Sequence, residues 1–352
     1  MTGPKPSIAI AGRRIGAAEP PFVIAEMSAN HNGDIDRAFR IMEAAKRAGA
    51  NAVKIQTYNA DTMTIDHDGP GFAIADGPWA GKTLHDLYQE AHTPWDWHPA
   101  LFDRGRELGL IVFSSPFDAS AVNFLESLDT PAYKIASFEL IDLPLIRKCA
   151  ATGKPLIMST GMADLKEIGE AVEAAREAGA SDIVLLHCTS GYPTPPEESD
   201  LRTIPHLASA FGLPVGLSDH TPGIGAAVAA VALGACVIEK HVTLSRADGG
   251  PDSAFSLEPG ELASLCANAR IAWQALGGVR YDKTASERGN VQFRRSLYIV
   301  EDMKAGEPLT EGTLRSIRPG YGLAPKYFNL LLGKRVNRDV SRGTPMSWDL
   351  LG

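Results

Sequence analysis

The sequence contains little cysteine and no long apolar run. Its four cysteines lie far apart without CxxC spacing, which argues against a disulfide framework and favours reduced core thiols; they are Cys149, Cys188, Cys236 and Cys266. The most apolar run, 226–238, is too short to cross a bilayer and contains Gly234. Residues 1–20 lack the apolar core and cleavage site of a signal peptide. We therefore expect a cytoplasmic protein without a membrane segment.

The sequence also lacks an excess of positive charge. A formal net charge of −8 at pH 7 argues against a general attraction to nucleic acid or to an anionic membrane surface. Any anionic ligand must then be held by a local cluster of cations. With 44% hydrophobic and 22% charged residues, the composition is that of a globular protein, and 352 residues suffice for one large α/β domain and a smaller one.

The chain is organised around two apolar, strand-like segments that each contain a histidine near their end. Residues 215–221 include Ser218 and His220, and residues 236–243 include Glu239 and His241, with a short helix predicted over 222–234 between them. Residues i and i+2 of a strand share a face, so each histidine lies beside a polar partner at the carboxyl end of its strand. If the two strands are neighbours in a parallel barrel, both imidazoles converge on its catalytic rim.

Eight apolar segments of this kind alternate with amphipathic helical ones. The predicted strands cover 22–28, 52–58, 111–117, 132–139, 155–161, 183–190, 215–221 and 236–243. Helical spacing is seen, for example, over 34–49, 163–179 and 200–211. This alternation predicts a (β/α)8 TIM barrel; a doubly wound open sheet is the alternative, although no strand is followed by a GxGxxG turn. Every predicted strand carries polar residues at its carboxyl end, as expected for a polar rim above a packed barrel.

The composition changes after the last predicted barrel helix, 259–276. We assign residues 1–282 to a TIM-barrel catalytic domain, 283–294 to a polar linker and 295–352 to a small β-rich domain. Within the barrel, the connection 59–97 is long and rich in Gly and Pro. It either covers the catalytic face or forms a passive loop with a short helix, and the sequence favours neither.

The two histidines could hold a divalent metal ion. They are too few to close a zinc site, so an open, partly hydrated site for Mn²⁺, Mg²⁺ or Co²⁺ is favoured. Glu239 and Asp252 could be further ligands or could orient the imidazoles. The alternative is that His220 and His241 are hydrogen-bonded rim residues without a metal, but two of them on adjacent strand ends favour the metal.

Two lysines, Lys54 and Lys134, lie within apolar strands, where an ammonium group is costly to bury unless it meets an anion. Such a lysine could form a Schiff base or bind an anionic ligand. Because polar side chains accompany both lysines, a ligand with a phosphate and a carboxylate is a natural occupant; these side chains are Gln56, Ser137, Ser159 and Ser218. Alternatively, each lysine pairs with a glutamate, for which the candidates are Glu26, Glu139 and Glu239.

Other polar groups near the strand ends have less defined roles. Glu26 ends the first predicted strand and is placed to act as a general acid or base. His31 and Asn32 in the following turn could contact a substrate, but for His31 we favour a role in shaping the loop. Cys188 follows His187, yet neighbours on a strand point to opposite faces, so a core thiol is favoured over a nucleophilic pair.

Short sequence motifs follow one another in order along the whole predicted barrel. They are IAEMSANHNG (24–33), VKIQT (53–57), SPF (115–117), YKIASFE (133–139), STGM (159–162), HCTSGYPT (187–194), SDHT (218–221) and IEKH (238–241). RRSL (294–297) and RPGYG (318–322) follow in the C-terminal domain. Together they resemble the sialic acid synthase family. The resemblance implies a TIM barrel followed by an antifreeze-like (SAF) domain, and an enzyme that condenses phosphoenolpyruvate with an N-acylated amino sugar to give a nonulosonic acid and phosphate.

The resemblance also implies roles for the candidate site residues. Phosphoenolpyruvate would be bound by Lys54, Gln56, Lys134, Ser137, Ser159, Ser190, Tyr192 and Ser218. The amino sugar would be bound by Glu139, Asp252 and Arg318. His220 and His241 would hold Mn²⁺ or a similar ion that polarises the sugar aldehyde, and Glu26 would act with them in catalysis. In this family the C-terminal domain reaches the barrel of a second copy, so a domain-swapped homodimer is expected, with Arg318 acting in trans.

Three segments resemble the pseudaminic acid synthases within this family: the turn that follows Glu26, residues 81–95 and residues 249–257. This implies 2,4-diacetamido-2,4,6-trideoxyaltrose as the substrate and pseudaminic acid as the product. Ser190 stands where N-acetylneuraminate-forming members have Asn. N-acetylneuraminate or legionaminate synthesis from a different hexosamine is the alternative. A metal-dependent aldolase or hydrolase, or a non-catalytic binding protein, are the rival classes for such a fold.

Overall fold

The computed structural model describes residues 6–75, 77 and 79–352. Residues 1–5 of the predicted barrel domain, and residues 76 and 78 of the connection 59–97, lie outside the described residues. The chain divides into two compact units, one ending at Gly277 and the other covering Gly278–Gly352. Within the described residues, no helix has the length and apolar character needed to cross a membrane.

Eight parallel strands of the first unit close into a barrel. An antiparallel hairpin precedes them, formed by β1 (Ser7–Ile10) and β2 (Arg13–Gly16). The barrel strands are β3 (Phe22–Glu26), β4 (Ala52–Thr57), β5 (Ile111–Pro116), β6 (Tyr133–Ile135), β7 (Leu156–Ser159), β8 (Ile183–Cys188), β9 (Val215–Asp219) and β10 (Val237–His241). Their order around the barrel follows the chain, and β10 pairs with β3. The predicted TIM barrel is therefore confirmed.

Helices occupy the connections between the strands. They are α1 (Ile35–Ala48), α2 (Ala60–Met63), α3 (Leu84–Ala91), α4 (His98–Leu108), α5 (Ala119–Ser127), α6 (Leu143–Ala150), α7 (Leu165–Glu177), α8 (Thr203–Phe211), α9 (Gly225–Ala232) and α10 (Pro259–Leu276). Aspartates begin several of them: Asp34 accepts an N–H of the first turn of α1, and Asp164 forms a capping box with Glu167 in α7. The helix predicted over 222–234 is shorter than expected, because α9 starts only at Gly225.

The strands end earlier than the sequence predicts. β6 ends at Ile135, and Ser137–Glu139 form a 3-10 helix, so the predicted strand 132–139 is too long. Some of the polar residues that follow the apolar runs, such as Ser28 and Ser137, lie in the turn that leaves the sheet, where such side chains compete with the ladder for hydrogen bonds. The apolar pattern identifies each strand but not the point at which its backbone turns away.

Alternate residues of the strands face the barrel interior and form two chemically different layers. The lower layer is apolar, as in Phe22 of β3 and Phe113 of β5, and Ile10 and Ile15 of the β1–β2 hairpin pack into the same cluster. Residues in between, such as Val53, belong to the outer core under the helices. Further along the strands, the interior positions become polar or charged. The barrel thus has a closed apolar amino-terminal end and a polar carboxyl-terminal mouth.

The second unit has its own small core. α11 (Ala285–Arg288) and a 3-10 helix, Gly289–Phe293, lie in the segment 283–294 that the sequence predicts as a linker, and their side chains are largely exposed. β11 (Ser296–Ile299) pairs antiparallel with β12 (Leu314–Ile317), and α12 (Phe328–Leu331) follows. Leu297, Ile299, Leu314, Leu331, Val336 and Met346 are among the core residues of this unit.

Candidate active site

Four charged side chains meet inside the barrel at the carboxyl ends of its strands. They are Glu26, Lys54, Lys134 and Glu239, and none is more than 4% exposed. Lys54 Nζ lies 2.7 Å from Glu26 Oε2 and 3.6 Å from Glu239 Oε1. Lys134 Nζ lies 3.7 Å from the same Glu239 oxygen. Both lysines therefore share Glu239. The sequence left open whether each lysine pairs with a glutamate, and in the structure both do.

Burial shifts the protonation equilibria of this cluster. It raises the pKa of Glu26 to about 7; Glu239 adds to this rise, whereas Lys54 opposes it. Burial alone would raise the pKa of Glu239, but Lys134 and Lys54 hold that pKa below its ordinary value. Burial lowers the pKa of Lys134. With Glu26 protonated, two lysines face a single ionised glutamate, so the cluster favours an added anion.

Hydroxyl groups surround the two ammonium groups. Lys54 Nζ donates to Ser115 Oγ at 3.2 Å, and Ser218 on β9 donates to Glu239 Oε1 at 3.3 Å. The hydroxyl of Ser159, at the end of β7, is buried and has no hydrogen-bond partner among the described residues. An unpaired buried hydroxyl costs free energy until a ligand completes it, so Ser159 marks a place for a polar ligand.

Three strand ends approach closely beside this cluster, at Ser137, Gly161 and Ser190. Gly161 N donates to Ser137 Oγ at 3.2 Å. A Cβ atom on Gly161 would overlap Ser190 Oγ and lie 2.7 Å from Ser137 Oγ, so a larger residue here would displace both hydroxyls. The small size of Gly161, in the turn after β7, therefore allows Ser137 and Ser190, the predicted ligand contacts after β6 and β8, to lie close together. Gln56, two positions after Lys54 on β4, is half-buried on the same strand face.

The two predicted histidines lie side by side at the same mouth of the barrel. The ring centroids of His220 and His241 are 5.4 Å apart. The ring of Tyr192 lies 4.3 Å from that of His220 and 6.4 Å from that of His241. His241 pairs in register with Glu26 on the neighbouring strand β3, so the imidazoles adjoin the charged cluster. Parallel pairing of β9 and β10 brings them together, as the strand assignment requires.

The hydrogen-bond partners of the imidazoles suit a metal ion. His220 Nδ1 lies 3.0 Å from Thr189 O, and since a carbonyl only accepts, this nitrogen carries a proton and Nε2 is the atom left for a metal ion. Burial lowers the pKa of His220, but the contacts with Cys188, Thr189 and Glu239 together outweigh it and raise that pKa, so a metal ion would displace a proton from Nε2. His241 Nδ1 is buried without a hydrogen-bond partner among the described residues, 4.0 Å from Asp252 Oδ2. Burial lowers the pKa of His241 well below its ordinary value, which keeps the ring neutral.

The residues therefore fit an open metal site with few protein ligands rather than a closed one. Across residues 6–75, 77 and 79–352, no group of three or more His, Cys, Asp or Glu side chains has an arrangement that could hold a metal ion. Two imidazoles would leave the remaining coordination positions to water and substrate oxygen. Asp252 is positioned by a hydrogen bond from Ser28, so it can orient His241 from behind.

The predicted sugar-binding residues lie in different parts of the structure. Asp252 is buried beside His241. Glu139 is half-buried after β6; burial raises its pKa to about 7, against the opposing effect of Lys134. Its Oε2 atom has no hydrogen-bond partner within the described part of the chain. Arg318 belongs to the second unit, where it follows β12 and is exposed.

Two residues beside the histidines are absent from the sequence-based site. Cys188 Sγ lies 3.9 Å from His220 Nδ1, and Phe255 has its ring centroid 5.0 Å from that of His241. The predicted burial of Cys188 is confirmed, but its thiol contacts the site rather than only the core. The sequence could have placed Cys188 at the site, because Leu186, two residues earlier on the same strand, faces the barrel interior. No pattern in the sequence signals Phe255, which lies in a 3-10 helix after β10.

The connection 59–97 reaches this mouth of the barrel. Trp79 Nε1 donates to Pro251 O at 3.1 Å, and its ring centroid lies 6.2 Å from that of Tyr192. The connection therefore packs on the rim that carries a predicted ligand contact. His31 packs its ring against Trp97, with centroids 5.4 Å apart, and its Nδ1 accepts the N–H of Gly33 at 3.1 Å. These contacts give His31 the loop-shaping position that the sequence favours.

Known proteins resemble this chain over nearly its whole length. The sequence model of the NeuB family matches residues 41–281, and that of the SAF domain matches residues 294–352. A pseudaminic acid synthase of Campylobacter jejuni is 44% identical over 322 residues, which cover 92% of this chain and 94% of that protein. A pseudaminic acid synthase of Helicobacter pylori is 41% identical over 333 residues, which cover 94% and 98%.

A solved structure extends this agreement to three dimensions. The N-acetylneuraminic acid synthetase of Leptospira borgpetersenii, in complex with citrate, superposes with a TM-score of 0.73 at 32% identity. The match covers 82% of this chain and 96% of that one. The fold is thus shared with a known synthase. The chain belongs to the NeuB family, the sialic acid synthases, and is an enzyme of that type with a C-terminal SAF domain.

Proposed function

We propose that this protein condenses phosphoenolpyruvate with an N-acylated amino sugar and water, and releases a nonulosonic acid and inorganic phosphate. The observation that carries the proposal is the buried group of Lys54, Lys134 and the unpaired Ser159 hydroxyl, which adjoins two imidazoles. Membership of the NeuB family and similarity to two pseudaminic acid synthases support the same reaction.

Phosphoenolpyruvate matches the charge of this group. It carries a phosphate and a carboxylate, and in the proposed complex Lys54 and Lys134 exchange part of their contact with Glu26 and Glu239 for these anions. Hydroxyl and amide groups complete the binding. The proposed contacts besides the lysines are Gln56, Ser137, Ser159, Ser190, Tyr192 and Ser218.

The reaction forms one carbon–carbon bond and breaks one carbon–oxygen bond. The enol carbon of phosphoenolpyruvate bonds to the aldehyde carbon of the open-chain sugar, whose oxygen takes up a proton. Water adds to the carbon that bears the phosphate group and loses a proton, and the resulting tetrahedral carbon expels phosphate. Glu26 is the proposed acid or base, since a pKa of about 7 allows it to give or take a proton near neutral pH.

We further propose that His220 and His241 hold a divalent ion, Mn²⁺ in preference to Mg²⁺ or Co²⁺. When bound, such an ion supplies Lewis-acid polarisation of the aldehyde oxygen. The contribution of the chain is to present two imidazoles side by side at the mouth of the barrel. Thr189 O accepts a hydrogen bond from His220, which is the support that metal-binding imidazoles commonly have, and Asp252 Oδ2 lies 4.0 Å from His241 Nδ1.

The proposed sugar is 2,4-diacetamido-2,4,6-trideoxyaltrose, with Glu139, Asp252 and Arg318 as its contacts. The two relatives named pseudaminic acid synthase support this choice. The test is phosphate release from phosphoenolpyruvate with Mn²⁺ and each of three sugars: the altrose derivative, N-acetylmannosamine and the legionaminate precursor. We expect release only when sugar and metal are both present, and the fastest release with the altrose derivative. Release without any sugar would contradict the condensation itself, whereas faster turnover of another sugar would change only the substrate.

We also propose a domain-swapped homodimer in which Arg318 completes the site of the partner subunit. The support is a set of apolar side chains at the catalytic face that are each more than half exposed, namely Phe138 and Ile141 after β6 and Met162 and Leu165 after β7. Mixing inactive Lys54→Ala protein with inactive Arg318→Ala protein should restore part of the activity, because a hybrid dimer holds one intact site. Absence of recovery after confirmed subunit exchange would contradict the swap.

A further inference from the structure

A cavity of about 230 Å³ lies at the opposite end of the barrel from the active site. It is bounded by the β1–β2 hairpin at Arg13, the start of β3 at Val23, the end of α1 and one face of α10. From Val23 to Glu26 the strand rises by about 10 Å, at roughly 3.3 Å per residue. The cavity is therefore separate from the mouth that carries the charged cluster.

The charged groups that line this cavity are all cationic. Among the residues that the structure describes, Arg13 and Arg270 line it and no aspartate or glutamate does. The guanidinium carbon of Arg13 lies 5.5 Å from the ring centroid of Phe22, which holds the side chain in place. Burial lowers the pKa of Arg13, and the positive charge of Arg270 lowers it further. Two guanidinium groups thus repel each other across a space that no carboxylate lines.

Neighbouring groups leave this positive charge available. The acids near the start of α10, Glu258 and Glu261, already pair with Arg246. Asn51 Oδ1 accepts the N–H of Val23 at 2.8 Å, which fixes the amide and leaves its NH₂ group as a further donor beside the cavity. The last turn of α1 would oppose an anion through its carbonyl groups. Two of these carbonyls already accept N–H groups from the residues after the helix.

We propose that this cavity binds a phosphate group, carried either by inorganic phosphate or by a phosphate monoester. Guanidinium groups bind phosphate oxygens through paired N–H donors, and an anion between Arg13 and Arg270 removes their mutual repulsion. The cavity is smaller than the roughly 300–1,000 Å³ of pockets for drug-sized ligands, which suits a compact anion. This binding site is independent of the proposed reaction.

Cys266 provides a local reporter, because it lines the same cavity and is half-buried, whereas the other three cysteines are buried. The intact protein is treated with iodoacetamide in inorganic phosphate or in chloride of equal ionic strength, and alkylation of Cys266 is followed by peptide mass spectrometry. If the bound state is unreactive, phosphate at about ten times its Kd slows alkylation about tenfold, because only about one site in eleven is free. Glucose 6-phosphate in a parallel series distinguishes the monoester from the free anion.

Arg270→Gln and the double variant Arg13→Gln/Arg270→Gln should lose this protection. Since a variant can change the reactivity of Cys266 itself, each is scored as the ratio of its rates with and without phosphate. Arg14→Gln is the matched control: Arg14 lies on the same hairpin but pairs with Glu19 at 3.4 Å, and its variant should keep full protection. Alkylation that neither phosphate nor the monoester slows, or protection that survives in the double variant, would overturn the proposal.

Discussion

Replacement of Lys240 by methionine should destabilise the barrel strongly. Lys240 lies on the outer face of β10, opposite Asp219 on β9, in the register that places their neighbours His241 and His220 at the mouth. Its Nζ lies 2.7 Å from Asp219 Oδ2 and also donates to Thr221 O. Both members of the pair are almost completely buried. Lys240→Met keeps the packing of the aliphatic chain but removes the only charge paired with Asp219 within 4 Å in the described chain.

The expected magnitude follows from this burial. Breaking one partner of a buried ion pair typically costs about 3–5 kcal/mol, because the remaining charge stays in a low-dielectric surrounding. Asp219 keeps one hydrogen bond, from Thr221 N to Oδ1 at 2.9 Å, which offsets part of this cost. With a urea m-value of about 3 kcal/mol/M, the unfolding midpoint should fall by roughly 1 M.

Urea unfolding followed by circular dichroism measures this change. Lys166→Met is the control, since Lys166 pairs with Glu170 at 3.2 Å on the exposed face of α7 and its replacement should leave the midpoint unchanged. The double variant Lys240→Met/Asp219→Leu should recover part of the loss, because it removes the unpaired carboxylate. A midpoint for Lys240→Met equal to that of Lys166→Met would refute the reasoning.

Three further predictions concern the mouth of the barrel and the outer core. His241→Ala should lose bound Mn²⁺, measured by mass spectrometry of the metal content, and turnover, with an unchanged circular dichroism spectrum. Gly161→Ala should lower kcat/KM by about 10²-fold, because its Cβ displaces Ser190, and the measurement is phosphate release at varied phosphoenolpyruvate. Burial lowers the pKa of His98 to about 4, so the stability that its neutral ring contributes should decrease as the pH falls below 6.5. The unfolded chain then binds the proton first, so the contribution of His98 is complete above pH 6.5 and disappears towards pH 4; at pH 5 the loss is on the order of 2 kcal/mol, measured by urea unfolding.

Each of these predictions has a contradicting outcome. Full activity of His241→Ala would remove the proposed metal role. An unchanged KM and kcat in Gly161→Ala would show that Ser137 and Ser190 tolerate the displacement. His98 Nε2 lies 2.9 Å from Thr57 Oγ1, and between pH 7 and 5 His98→Gln, which cannot be protonated, should lose about 2 kcal/mol less stability than the wild type. Equal slopes for His98→Gln and the wild type between pH 7 and 5 would contradict the assignment to His98.

The strands and the polar mouth could be predicted because the sequence alternates with a fixed period. Phe22 and Ile24 face the interior of β3, so Glu26 must do so as well if the strand continues. The same rule places Lys54 on β4 and Glu239 on β10 in the barrel interior. The ends of the strands, for example that of β6, were harder to predict, because a pattern of side chains does not show where the backbone hydrogen bonds stop.

The partners of the lysines could not be predicted, because several glutamates were available. Lys54 pairs with Glu26 and Glu239, while Glu139 lies further along the chain from β6 and makes no ion pair within 4 Å in the described chain. Which carboxylate is nearest depends on the closure of the barrel between β10 and β3. The contacts of Cys188 with His220 and of Phe255 with His241 depend in the same way on turns after the strands.

The sequence by itself determined the eight strands, the barrel and the family, because periodic burial and ordered motifs are local properties of the chain. Only the tertiary structure decided which charges share Glu239, and that Arg13 and Arg270 line a space without a carboxylate. Electrostatic energies depend on distances between groups far apart in the chain, and closure of the barrel sets those distances.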